Sequence, residues 1–218
     1  MIKVEKIEVW GFRHAIRGMR NPLNSWDKSD SYETHIEDPE TLETAPFEFF
    51  VGENDLALMR RLFKGGTEHR KYLRQIFVSL DITAPFYWWK EFDTYKVGTV
   101  ANSCSTMHKI AAKEFVREDF SLEHLAECNL NLMDMVINNL NLYRSAYLES
   151  KNKEDWWQLI QLLPTSYNQK RTITMNYENV FTILRQRKGH KLDEWNELWE
   201  ILHDLPYIAA ISEDSDHE

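Results

Sequence analysis

The stretch IFVSLDITAPFYWWKEFDTYKVGTVANSCSTM, residues 76–107, changes character along its length. From Gln75 to Thr83 it alternates: Ile76, Val78, Leu80 and Ile82 fall on one face, Phe77, Ser79 and Asp81 on the other, the pattern of a strand with one buried face. Ala84-Pro85 is the turn. Proline has no amide hydrogen for a ladder and suits a first helical position, so a helix is expected to begin there. Phe86, Trp89 and Phe92 recur at helical spacing, with Lys90 and Glu91 turned elsewhere. After Lys96, Gly98 breaks the pattern. The small residues 101–106 then read either as a ligand-lining loop or as a tight internal one.

The rest of the chain supplies partners for this stretch. Ile2, Val4, Ile7 and Val9 alternate imperfectly and read as an opening strand over residues 1–10. Residues 12–20 carry Arg13, His14, Arg17 and Arg20, a guanidinium cluster that reads as an anion cradle or as a solvated basic face. Residues 21–48 read as a long polar loop. Asn54 is the expected cap of a helix closed by Gly65-Gly66, and Ser121 that of a long amphipathic helix with an Asn-rich outer face. Residues 153–163 form a helix stopped by Pro164. Ile173, Met175, Val180, Ile183 and Leu184 are then read as one helical core face, and residues 192–205 as a last helix with Trp195 and Trp199. Helices outnumber strands, so the fold class is α+β.

The 218 residues point to one domain, residues 1–211, with an acidic tail at 212–218. A formal charge of −9 argues against polymeric nucleic acid as a partner, since phosphate binding calls for a basic field. Two cysteines cannot build a disulfide framework and indicate a reducing compartment. No signal-peptide pattern and no apolar run of membrane-spanning length is seen, so a cytoplasmic protein with no membrane partner is expected. Cys128, within an amphipathic helix, reads as structural, and no metal ligand set is evident.

The order of His69, strand, Ala84-Pro85, aromatic helix and polar loop, followed by Leu163-Pro164 and residues 176–187, resembles the flavin-dependent thymidylate synthases. The match covers the middle and the C-terminal third of the chain. Where that family has Arg-His-Arg after the helix, this sequence has Thr94-Tyr95-Lys96. Where it has Ser-x-Asn-Glu-x-Ser-x-Arg-Tyr, residues 99–107 read TVANSCSTM. In its Asn-x-Arg segment Asn176 is kept, Glu178 replaces the Arg, and Thr182 stands at a later flavin-contacting Asn. Arg187 falls at the deoxyuridylate-binding Arg and His69 at a flavin-contacting His.

The resemblance implies a helix-rich fold with a central antiparallel-type sheet and a homotetramer. It implies reductive methylation of a pyrimidine nucleotide, deoxyuridylate, by reduced FAD, with methylenetetrahydrofolate and NADPH as co-substrates. Carried over by position, Lys90, Glu91, Cys104, Ser105 and Arg187 would bind substrate. His69, Tyr95, Lys96, Asn102, Asn176, Glu178 and Thr182 would bind the flavin. Cys104, at the signature's second Ser, reads either as a nucleophile able to attack C6 of a pyrimidine or as a small buried Cys in a tight loop. Two functions are carried forward: a divergent enzyme of this type, and a catalytically inactive nucleotide-binding homologue acting as a sensor or partner subunit.

Overall fold

The computed structural model describes residues 2–34 and 48–213. Its centre is a four-stranded antiparallel sheet in the order β1 (Lys3–Trp10), β4 (Phe77–Pro85), β6 (Asn168–Asn176), β5 (Thr99–Ser103). A separate two-stranded ribbon joins β2 (Tyr32–Thr34) to β3 (Glu48–Phe50), so the segment read as irregular includes a β pairing. Residues 35–47 of that segment, and 214–218 of the expected tail, lie outside the described residues.

The alternation in β4 has the consequence expected of it: Ile76, Val78, Leu80 and Ile82 are buried, while Phe77, Ser79 and Asp81 are only partly covered. β1 pairs Val4 with Ile82 and Val9 with Val78, with a register shift between Glu5 and Glu8 where Lys6 takes φ 55°. This bulge explains the broken alternation and leaves Ile7 exposed. Pro85 is the last strand residue and the cap of α3 (Phe86–Phe92), with extended backbone, so the helix starts one residue later than expected. The first two amides of α3, Phe86 and Tyr87, donate instead to the carbonyls of Tyr167 and Thr165, both at 3.1 Å.

Two further assignments change. Ile173 and Met175 belong to strand β6 and not to a helix; only from Tyr177 does α7 (Tyr177–Arg187) begin. The break is Asn176, whose side chain accepts from the Asn179 amide at 3.0 Å as a helix cap. Residues 99–103 form β5 rather than a loop, held by pairing from Thr99↔Met175 to Ser103↔Arg171.

The remaining helices are α1 (Phe12–Arg20), α2 (Glu53–Lys64), α4 (Thr106–Lys109), α5 (Glu127–Ser150), α6 (Lys153–Leu162), α8 (Asp193–His203) and α9 (Ile208–Ser212). α5 starts later than the Ser121 pattern implies, because the Ser121 hydroxyl donates to Asn168 Oδ1 at 2.9 Å rather than capping the helix. α2 is capped by Gly52 rather than Asn54, and its free amides at Asn54 and Asp55 donate to the Asp30 carboxylate at 2.9 and 3.1 Å. Among the described residues no helix is long and apolar enough to cross a membrane.

One core joins the sheet to α1, α2, α3, α7, α8 and α9 and contains Trp88, Trp89 and Trp195; a second, around Leu140 and Leu159, lies between α5, α6 and residues 110–120. Gly11 fixes how α1 leaves β1. Its φ is 102°, and an added Cβ would sit 2.1 Å from the Gln75 carbonyl oxygen. Gly11→Ala is therefore expected to lower stability by about 1–3 kcal/mol, measured by urea unfolding. An unchanged midpoint would show that this backbone approach relaxes freely.

Candidate functional site

α3 leaves the C-terminal end of β4, and α7 leaves the opposite end of the neighbouring antiparallel strand β6, so the two helices run toward each other and their C-terminal ends meet. Glu91 and Arg187 meet there: Arg187 Nη1 donates to Glu91 Oε2 at 2.6 Å, and its Nε donates to the Tyr95 hydroxyl at 2.8 Å. The guanidinium lies over the Trp195 ring at 4.4 Å and the Tyr95 ring at 5.6 Å. Trp195 Nε1 donates to the same Glu91 oxygen at 3.0 Å. Tyr95 donates onward to Gln186 Oε1 at 3.0 Å.

His190 completes the cluster. Its Nδ1 accepts from the Leu192 amide at 3.1 Å, which places the ring proton of the neutral form on Nε2. Nε2 lies 3.1 Å from Arg187 Nη1 and 3.5 Å from Glu91 Oε2. Lys90, one position before Glu91, is exposed.

The residues carried over for a flavin fall in several places. Asn176 is buried and committed to capping α7, and an added Cβ on Gly98 would sit 2.5 Å from its Nδ2. Asn179 ties the adjoining loop through the Val97 carbonyl at 2.6 Å and Thr99 Oγ1 at 2.8 Å. Glu178 pairs with Arg70 at 2.9 Å, while its Oε2 is buried with no hydrogen-bond partner among the described residues. Thr182 donates to the Glu178 carbonyl at 2.9 Å. His69, Lys96 and Asn102 are exposed, and Tyr95 is engaged at Arg187. These residues offer the phosphates of a flavin dinucleotide little compensating charge. A dinucleotide brings two phosphate charges, and here Arg70 is already neutralised while the orphaned Glu178 oxygen adds repulsion.

Thr182 does line a cleft of about 780 Å³ where α2, α7, α8 and α9 converge. Its apolar walls include Phe63, Phe181 and Trp199, and its cations include Arg185 and Lys188. Arg185 is exposed and in no ion pair among the described residues, and Lys188 Nζ lies 5.9 Å over the Trp199 ring. Nothing in the sequence around Arg185 and Lys188 marks them as part of a site. Their meeting with Trp199 depends on how α8 folds back on α7, which no local pattern signals.

Cys104 lies elsewhere, immediately after β5, in a pocket of about 310 Å³ with Ser105, Lys109, Lys113 and Lys170. It is exposed, contrary to the reading as a buried Cys, and Cys128 on α5 is exposed as well. The Cys104 backbone is fixed by Lys170 O, which accepts its amide at 2.9 Å, and by Gln169 Nε2, which donates to its carbonyl at 2.8 Å. Among the described residues no hydrogen bond reaches its thiol, and no group of metal-ligating side chains is present. Ser105 Oγ accepts the His108 amide at 3.1 Å and caps α4. Lys170 pairs with Asp81 at 2.9 Å, and Lys113 pairs with Asp119. The Thr172 hydroxyl, then Lys170, hold the Asp81 carboxyl below its ordinary range, and Asp81 in turn raises Lys170.

The expected substrate group thus divides. Glu91 and Arg187 form one cluster, Cys104 and Ser105 line a separate pocket, and a contact chain joins the two regions. Arg171 donates to Asp93 at 2.8 Å beyond α3 and to Gln169 Oε1 at 3.0 Å, and Gln169 then reaches Cys104. The sequence reading did not single out two members of the Arg187 cluster: Trp195, read only as a residue of the last helix, and His190, just before it.

No protein-family model and no curated protein matches the sequence. Solved structures do match. Thymidylate synthase X (ThyX) from Helicobacter pylori with FAD and dUMP superposes with a TM-score of 0.67 at 18% identity over 100% of both chains. A second structure, flavin-dependent thymidylate synthase ThyX from the same organism complexed with FAD and dUMP, gives 0.64 at 17% identity over 96% of this chain and 99% of that one. The chain therefore has the fold of the flavin-dependent thymidylate synthases.

Proposed function

We propose that this protein is a nucleotide-binding relative of the ThyX enzymes that no longer performs reductive methylation and acts as a sensor or partner subunit. The observation that carries this reading is the neutralisation of the cations a nucleotide enzyme of this fold would use. Arg187 is paired with Glu91, and Glu178 stands where the resemblance implies an arginine and engages Arg70. Among the described residues no base is hydrogen-bonded to Cys104 to raise its nucleophilicity, which argues against the divergent-enzyme alternative.

Binding is a separate matter. The α2–α7–α8–α9 cleft offers aromatic surface for a base and Arg185 and Lys188 for phosphate, the combination that suits a pyrimidine nucleotide. α5 exposes Leu132, Met135 and Leu142, which supports self-association of the kind the homotetramer expectation requires.

Calorimetry with deoxyuridine monophosphate and a flavin-fluorescence titration test this. Nucleotide binding without FAD uptake is expected, and replacing Arg185 and Lys188 with Glu is expected to weaken nucleotide binding about tenfold or more. A thymidine-requiring cell carrying the protein should fail to grow without thymidine. Growth would refute the loss of catalysis, and absence of nucleotide binding would refute the sensor.

A further inference from the structure

We propose that Glu91 is a built-in counter-ion whose carboxylate fills the anion seat of Arg187 and excludes phosphate monoesters from it. The seat is recognisable from its own chemistry. A guanidinium offers its donors in a fixed fork that suits carboxylate and phosphate oxygens alike. Arg187 is held in place by the Trp195 and Tyr95 faces, and its side chain is 17% exposed. Arg187 Nη1 and Trp195 Nε1 both donate to one Glu91 oxygen, at 2.6 and 3.0 Å, and His190 Nε2 lies 3.5 Å from it. These groups come from α7, from α8 and from the loop between them, so they were brought together by the fold rather than by one local turn.

Glu91 is the more exposed partner, at 37%, and covers the seat from the solvent side. An incoming phosphate would have to take the same donors while standing beside a carboxylate, and like charges at contact distance repel. Glu91 is therefore a specificity-determining residue: its charge, rather than its size, closes the seat. The inference is independent of what occupies the larger cleft, since that cleft's walls do not include Glu91, Tyr95, Arg187 or Trp195.

The test is calorimetric titration of inorganic phosphate into the full chain, its Glu91→Gln variant, and Glu91→Gln combined with Arg187→Gln. Glutamine keeps the shape of the side chain and an oxygen acceptor for Trp195. Thermal melting of each variant establishes that it is folded, and Glu91→Ser, which vacates the seat, serves as a second variant if Glu91→Gln melts early. The expected result is phosphate affinity at least about tenfold tighter in Glu91→Gln than in the parent, lost again when Arg187 is replaced. Parent and variant share the cleft, so phosphate bound there cancels in the comparison. A folded Glu91→Gln or Glu91→Ser protein with the parent's phosphate affinity would overturn the proposal, as would a gain that survives loss of Arg187. Failure of the cleft charge reversals to alter nucleotide binding would count against the proposed function and leave this result unaffected.

Discussion

Asp55→Ala is expected to destabilise the protein by about 3–5 kcal/mol, because it removes one member of a buried ion pair and strands the other. Asp55 is fully buried and Arg20 is 4% exposed, with Arg20 Nε donating to Asp55 Oδ1 at 2.6 Å. The second carboxylate oxygen accepts from the hydroxyls of Ser29 and Ser31, both at 2.7 Å, and from the amides of Asp30 and Ser31, both at 3.2 Å. Alanine would leave a guanidinium and a looped segment without their acceptor. Urea unfolding should show a lower midpoint, and a loss below about 1 kcal/mol would mean that water replaces the carboxylate. Replacing both partners with apolar residues, Arg20→Met with Asp55→Leu, should cost less than the two single losses summed.

The same carboxylate sets an acid dependence. Burial opposes its ionisation, but the hydroxyls of Ser29 and Ser31 and the charge of Arg20 outweigh that and hold it below the ordinary aspartate value. A depressed folded-state value means the contribution is complete above the unfolded value and is lost as the pH falls through the folded one. The parent should therefore lose stability on acidification through that range, and Asp55→Ala should lose less.

Trp195→Ala is expected to cost about 3–5 kcal/mol, the range for emptying a buried aromatic site. The ring is fully buried, with centroids 4.7 Å from Trp88, 5.9 Å from Tyr95 and 6.2 Å from Phe92. It also supports the Arg187 guanidinium and donates to Glu91. Trp195→Phe should retain most of the packing and lose only the indole donor, so its cost should be near 1–2 kcal/mol, roughly one hydrogen bond left unmade. Equal losses for the two variants, measured by chemical denaturation, would show that the hydrogen bond and not the ring volume carries the effect.

These residues show where sequence reading succeeds. β4 was legible because its apolar residues obey a strict period of two and one face is wholly buried. β6 was not, because Ile173 and Met175 run into Val180, Ile183 and Leu184, and the combined spacing also satisfies a helix. What separates them is the Asn176 cap, a single polar side chain in an apolar run. β5 is held by its pairing with β6, a long-range fact that its small residues do not advertise. The Arg13–Arg20 cluster was read as one unit, yet Arg20 turns inward to Asp55 while Arg13 remains at the surface beside Glu33 at 3.4 Å. Nothing local distinguishes the two arginines, since the partner of Arg20 arrives from another helix. The candidate site was legible only as framework: Glu91 and Arg187 were both named, but their union required the sheet's order.

That order also governs when the molecule can assemble. β4 lies between β1 and β6, and the Ser79–Thr174 contact across it joins residues 95 apart in the chain. During synthesis, a strand with a wholly apolar face therefore waits with one side unpaired until residue 176 has emerged. Closing so long a loop is slow, and the waiting edge is open to other chains, so the yield of folded protein is expected to respond to dilution and to an early-binding chaperone.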